Sequence, residues 1–195
     1  MRLPVAALLL LLLGACAHTI ARQAPVETVP GVDLQRYAGI WYEQAHLPLF
    51  FQRNCVANTT ARYGLRDDGL IDVVNACDDA RGNRIESTGV ARTVDAGNSR
   101  LQVRFAPAFL SFLPPVWGDY WIVALDPDYQ WSIVGTPNRK YLWILSREPR
   151  IPETELAALV GRAQALGYDT SRLLRAGPRC EPPASCPQPS PKDSD

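Results

Sequence analysis

Gly39-Ile40-Trp41-Tyr42-Glu43 is the stretch whose reading decides the fold. It follows a short helix-forming lead, Asp33-Leu34-Gln35-Arg36-Tyr37-Ala38. After it the chain reads as one β-rich segment after another as far as Arg147. Gly39 has no Cβ, so the backbone can bend tightly and pack close to a neighbour. Trp41 is the largest apolar side chain available and can plug the end of a small barrel.

Downstream, period-two alternation marks strands. From Cys55 to Leu65 the odd positions Ala57, Thr59, Ala61, Tyr63 and Leu65 form the inward face. Arg66-Asp67-Asp68-Gly69 is a hairpin turn, with Gly69 able to take positive φ. The return strand places Ile71, Val73, Asn75 and Cys77 on one face. Leu101, Val103 and Phe105 alternate with Gln102 and Arg104. Residues 120–125, 130–136 and 141–147 are three further apolar strands. Counted from Trp41, eight strands joined by short turns close into an all-β, eight-stranded antiparallel up-and-down barrel with room for one small ligand. Pro152 opens a helix whose Leu156, Leu159, Val160, Ala163 and Leu166 fall at helical spacing, and Gly167 ends it. This helix is expected to pack outside the barrel.

Two apolar segments break the strand rhythm. Residues 48–54 form a loop carrying Phe50 and Phe51. Residues 106–115 are bounded by prolines and carry Phe109, Leu110, Phe112 and Leu113, so they cannot be a regular strand. This second loop either folds onto the domain or forms an apolar rim that faces lipid.

The N-terminus carries a different signal. Met1-Arg2 precedes an apolar run, residues 3–13, that is too short for a bilayer span of ~20 residues but fits the core of a signal peptide. It ends in Leu13-Gly14-Ala15-Cys16, which resembles the bacterial lipobox. That resemblance implies a lipoprotein signal peptide over 1–15 and acyl chains on Cys16. Ala17, not Asp, follows the cysteine, and by sorting analogy this points to the outer membrane. Residues 16–31, with Pro25 and Pro30 and no hydrophobic periodicity, read as a tether. The folded unit is expected over 32–176. Residues 177–195, rich in Pro and Ser, read as a disordered tail.

The chain has 195 residues with Lys+Arg 20 and Asp+Glu 20, so no net field draws it to nucleic acid. Five cysteines include Cys16. The remaining Cys55, Cys77, Cys180 and Cys186 are even in number in an exported chain, which implies disulfides. Four cysteines allow three connectivities. Shared inward parity across one hairpin favours Cys55–Cys77, leaving Cys180–Cys186. No closely spaced Cys/His set offers a metal site, and no cofactor is expected.

Gly39-x-Trp41-Tyr42-Glu43, Asp128-Tyr129 and Leu142-Trp143-Ile144-Leu145-Ser146-Arg147 resemble the three signature blocks of the lipocalins. More narrowly the chain is similar to bacterial outer-membrane lipocalins and the apolipoprotein D group. The resemblance implies that Arg147 packs over Trp41, next to Gly39, and closes the base. It also keeps open a Cys55–Cys180 tie. It implies a lipid-binding protein, not an enzyme, anchored in the envelope and facing the periplasm, with a fatty acid or lysophospholipid as ligand; a homodimer stays open. Tyr63, Asn75, Phe105, Tyr120 and Trp143 are the expected ligand contacts, with Asn75 and the tyrosine hydroxyls orienting the head group. A lipocalin-fold enzyme or a structural envelope lipoprotein are the alternatives. Against the first, the two histidines, His18 and His46, fit no Ser-His-acid order.

Acyl chains gain ~0.8 kcal/mol per buried CH₂ and make such an anchor nearly permanent. Cys16→Ser should therefore move the protein from the membrane to the soluble fraction. Retention of the variant in outer membrane washed at high salt would overturn the anchor reading.

Overall fold

In the computed structural model, which describes residues 24–178, eight strands run in sequence. They are β1 (Gly39–His46), β2 (Ala57–Leu65), β3 (Ile71–Asp78), β4 (Arg84–Thr93), β5 (Arg100–Arg104), β6 (Gly118–Leu125), β7 (Trp131–Gly135) and β8 (Leu142–Ser146). Each pairs antiparallel with the next, and β1 pairs with both β2 and β8, so the sheet closes on itself. Closure leaves no exposed edge among these strands. A short strand, β9 (Leu174–Arg175), then pairs with the end of β1 at Ala45 and His46.

The closed sheet is apolar on both faces along β6, β7 and β8, because each face has its own cover. Inside the barrel, Trp41, Tyr63, Val73, Ile122, Val134 and Leu145 form one core. Outside it, α2 (Glu153–Ala165) lays Leu156, Leu159 and Ala163 over Ala45, Ile133, Leu142 and Ile144. Glu153 and Glu155 sit in the first turn of α2, where the helix dipole favours them. Cys55 and Cys77 are joined, with a Cα–Cα separation of 5.4 Å.

The reading of residues 16–31 as a tether needs correction over its described part. Val26 is buried in the outer core. The Val29 N–H donates to the Ile122 carbonyl at 3.0 Å, and Thr28 accepts from Ser99 at 2.9 Å. Valines spaced through a proline-containing segment can dock onto a barrel without any periodicity of their own. The folded unit therefore reaches back to at least Ala24. Cys16, Cys180 and Cys186, the signal peptide and the tail from 179 onward lie outside the described residues.

The base is closed by α1 (Leu34–Tyr37), one turn capped by the Asp33 carboxylate, which accepts from the Gln35 and Arg36 N–H groups. So short a helix has no stability of its own. Arg147 fixes it in place. Its guanidinium lies 3.9 Å from the centre of the Trp41 ring. It donates to the carbonyls of Arg36 at 2.6 Å, Ala38 at 2.9 Å and Ile40 at 2.8 Å. Trp41 Nε1 donates to the Tyr37 carbonyl at 2.8 Å. Gly39, at φ +96°, makes the turn between α1 and β1, and a Cβ there would sit 3.4 Å from Arg147 Nη1.

Arg147→Ala removes the cation–π contact and leaves several carbonyls without a donor, a loss of about 2–4 kcal/mol. Urea unfolding should show this, with Arg147→Lys recovering only part, because an ammonium cannot reach carbonyls of both α1 and β1 in a plane. A loss within experimental error would contradict the closing role.

Candidate functional site

Strand register identifies the residues that face the barrel lumen. Tyr63 pairs with Val73, Val73 with Gly89, and Val134 with Trp143, all on the lumen side. Of the two adjacent aromatics on β6, Tyr120 points in and Trp121 points out against the core under α2. Phe105 continues the inward parity of Leu101 and Val103. Its ring lies across Gly89, where a Cβ would come within 2.8 Å of it. Only glycine leaves room for that ring on the wall.

The floor of the lumen is a chain of hydroxyls. Tyr63 bonds Tyr120 at 2.8 Å, Tyr120 bonds Tyr37 at 2.9 Å, and Tyr37 bonds Ser132 at 3.1 Å. Burial holds the Tyr37 hydroxyl up at about 12 despite these bonds. Burial also raises Tyr63 and Tyr120 well above the ordinary range, and the charge that Tyr37 would carry opposes ionisation of both. The tyrosine hydroxyls expected to orient a head group bond one another and Ser132 in this structure. A narrow apolar cleft lies beside them, between α1 and the walls of β2 to β6.

Toward the mouth the lumen wall is wet. Asn75 and its pairing partner Ser87 are exposed although they face inward, and Phe105 is 47% exposed. An inward residue can be exposed only where the barrel is open. Trp143 is partly buried on the same wall and packs 6.2 Å from Tyr141, which meets Phe51 at 6.1 Å. The links β1–β2 and β5–β6 both fall at this end of the up-and-down barrel. On them Phe50, Phe109 and Phe112 are each about three-quarters exposed. The β5–β6 link holds its shape through Trp117, whose indole donates to the Ser111 carbonyl at 2.8 Å and lies between Arg92 and Arg104.

Sequence reading missed two polar residues on the same wall, Glu43 and His46. A bulge between Glu43 and Ala45 shifts the β1 register against β8. Glu43 pairs with Leu145 and His46 with Trp143, both lumen-facing, while Ala45 turns out to the core beneath α2. Strict alternation would put His46 outside, so no period-two count could find it. Gln52, from the mouth turn Phe50–Gln52, donates its amide to both Glu43 oxygens at 2.8 and 2.7 Å.

A barrel with a closed base, a wet mouth and a phenylalanine rim defines a cup-shaped binding protein. The chain belongs to the lipocalin family, with the Lipocalin-like domain matching residues 32–178. It is 39% identical over 171 residues to temperature-induced lipocalin-1 of Arabidopsis thaliana, covering 87% of this chain and 90% of that one. It is 36% identical over 150 residues to the outer membrane lipoprotein Blc of Escherichia coli K12, covering 76% and 81%. Mouse apolipoprotein D matches at 27% identity over 150 residues, covering 72% and 74%. Among solved structures, insecticyanin from the tobacco hornworm Manduca sexta superposes with a TM-score of 0.60 at 19% identity, over 82% of this chain and 92% of that one, a likeness of fold alone.

The hydroxyl chain gives a pH dependence with a definite sign. Tyr37 holds its proton to about 12 in the folded state, against 10.0 when free. Its contribution is complete below the free value and falls as pH rises through the folded one, because the unfolded chain ionises first. Unfolding monitored by far-UV circular dichroism should show stability falling between these two pH values. Tyr37→Phe should flatten that fall; an unchanged slope would show that this tyrosine is not held protonated by the fold.

Proposed function

We propose that the protein is an envelope-anchored carrier of single-chain lipids, a binding protein rather than an enzyme. The observation that supports this best is the exposure of inward-facing Asn75, Ser87 and Phe105 beneath an apolar rim. A lumen packed solid would bury them. The ligand class is long-chain fatty acids or lysophospholipids. Phe105 and Trp143 supply apolar wall, Asn75 supplies a polar contact, and Tyr63 and Tyr120 form the floor that stops the chain.

The lipobox and the likeness to an outer membrane lipoprotein support an anchor at Cys16 in the outer membrane, facing the periplasm. Among the described residues no helix is long and apolar enough to cross a membrane. The anchor keeps the cup within a tether's reach of the bilayer. Phe50, Phe51, Phe109, Leu110, Phe112 and Leu113 then ease passage of a chain from bilayer to cup, each large apolar side chain gaining about 1.5–3 kcal/mol on burial.

The test is titration of the full chain carrying Cys16→Ser with fatty acids, lysophospholipids and haem, followed by tryptophan fluorescence. Lipid should bind at micromolar concentration or tighter. Trp143→Ala should weaken it about ten-fold or more without unfolding the barrel. No lipid binding in this range, or far tighter haem binding, would sink the carrier assignment.

A further inference from the structure

We infer that the barrel docks mouth-first on an anionic phospholipid bilayer, the one that carries its own anchor. The two ends of the barrel differ in charge, in exposed apolar side chains and in where the N-terminal segment leaves, and all three favour that orientation. The inference rests on the carrier reading and names the partner that the mouth meets.

The chain has Lys+Arg 20 and Asp+Glu 20, but these charges are sorted by barrel end. Strand order puts links 47–56, 79–83, 105–117 and 136–141 at the mouth and links 66–70, 94–99 and 126–130 at the base. The mouth links carry Arg53, Arg81, Arg139 and Lys140 against one acid, Asp79. The base links carry Asp67, Asp68, Asp95, Asp126 and Asp128 against one cation, Arg66. Residues 33–38 and 147–152, also at the base, add Asp33 and Glu148 against Arg36, Arg147 and Arg150, which leaves that end acidic. Arg53, Arg81 and Lys140 are exposed. An anionic surface therefore attracts the mouth and repels the base, with each cation near it gaining about 1 kcal/mol.

Link 105–117 carries no charge and holds the exposed Phe109 and Phe112. Around the barrel it stands between link 79–83 with Arg81 and link 136–141 with Arg139 and Lys140. An apolar tip flanked by cations suits the boundary between acyl chains and phosphates.

The N-terminal segment adds an independent constraint. Ala24 lies at the mouth, where its carbonyl accepts from Arg139 Nη2 at 2.7 Å. From there the segment runs down the outer wall. The Val29 N–H reaches Ile122, and the Val32 N–H reaches the Gly97 carbonyl in a base link at 2.8 Å. Only eight residue steps separate Cys16 from Ala24. Fully extended they span at most about 29 Å. Tilted strands of this length stand about 20 Å tall. A barrel turned base-down would use most of the tether in passing its own wall, whereas a mouth-down barrel needs little of it.

The experiment uses the processed chain, residues 16–195 with Cys16→Ser, which lacks both the acyl chains and the apolar run 3–13. Sedimentation compares vesicles of phosphatidylcholine alone with vesicles of phosphatidylcholine mixed with phosphatidylglycerol. Binding to the mixed vesicles should be about ten-fold tighter and should weaken as salt rises. Arg53→Glu with Lys140→Glu should weaken it about ten-fold or more. Arg66→Glu with Arg150→Glu, the same change in net charge at the base, should leave it within about two-fold. Phe109→Ser with Phe112→Ser should weaken binding to both kinds of vesicle. Hydrogen exchange reads the orientation directly: amides of 105–113 and 136–141 should gain protection on the mixed vesicles, and those of 66–70 and 126–130 should not. The acylated chain reconstituted in the same vesicles should give the same pattern. Near-UV circular dichroism checks the fold of each variant, and the vesicle comparison and exchange pattern stand without them. Equal binding to both vesicles, equal weakening by the two charge pairs, or protection of the base links would each overturn the docking. The single-lipid titration involves no bilayer, so lipid binding there without vesicle docking here overturns this inference alone, and loss of both overturns the carrier reading with it.

Discussion

The guanidinium of Arg147 over the Trp41 ring is the contact on which the closed end depends. It joins the last barrel strand to the first and to the helical turn that plugs the base, because one planar group donates to carbonyls of both α1 and β1. Arg147 also reaches the Tyr129 carbonyl at 3.4 Å, bringing in the β6–β7 turn. Tyr129 in turn accepts from the Asp33 N–H through its hydroxyl and lies under Arg36. Three segments far apart in sequence are held by two arginines and two aromatic rings. Each contact is worth little alone, but together they fix a turn that could not persist by itself.

With the base fixed, the lumen divides by height. The lower part is filled by aromatic rings whose hydroxyls satisfy one another, so a polar floor is buried without stranded donors. The upper part is open, and its wall alternates apolar rings with a few polar groups. That division leaves an exposed upper wall above a packed floor. It also separates the packed floor and helix-covered outer face, which carry stability, from the exposed wall and rim.

The outer face shows why the open half tolerates its exposure. Along β6, β7 and β8 the outward side chains are buried by α2 and by the N-terminal segment around Val26. This outer core adds to the one that fills the lower lumen. Phe109 and Phe112 stay exposed on a loop whose Trp117 meets the guanidinium groups of Arg92 and Arg104.

Much of this was legible in the sequence. Period-two alternation gave the strands, Gly39-x-Trp41 with Arg147 marked the closure, and the β2–β3 hairpin brought Cys55 to Cys77, although a bulge between Ala57 and Thr60 breaks the parity before Cys55. These features are local or depend on parity, which a strand preserves along its length. Tyr63, Phe105, Asn75 and Trp143 lie on the lumen side by the same parity. What alternation could not supply is anything beyond a break in it. The β1 bulge turns His46 inward beside Glu43, and only pairing with β8 reveals it. Nor could the sequence choose between Tyr120 and Trp121, since β6 is apolar on both sides; α2 claims one face and leaves the other to the lumen. The same applies to residues 24–31, whose docking depends on a surface formed by strands a hundred residues away. The sequence determined the barrel and its closing residues through local periodicity. Tertiary structure alone decided which polar groups meet inside it, because a bulge and a covering helix act through contacts that no single strand encodes.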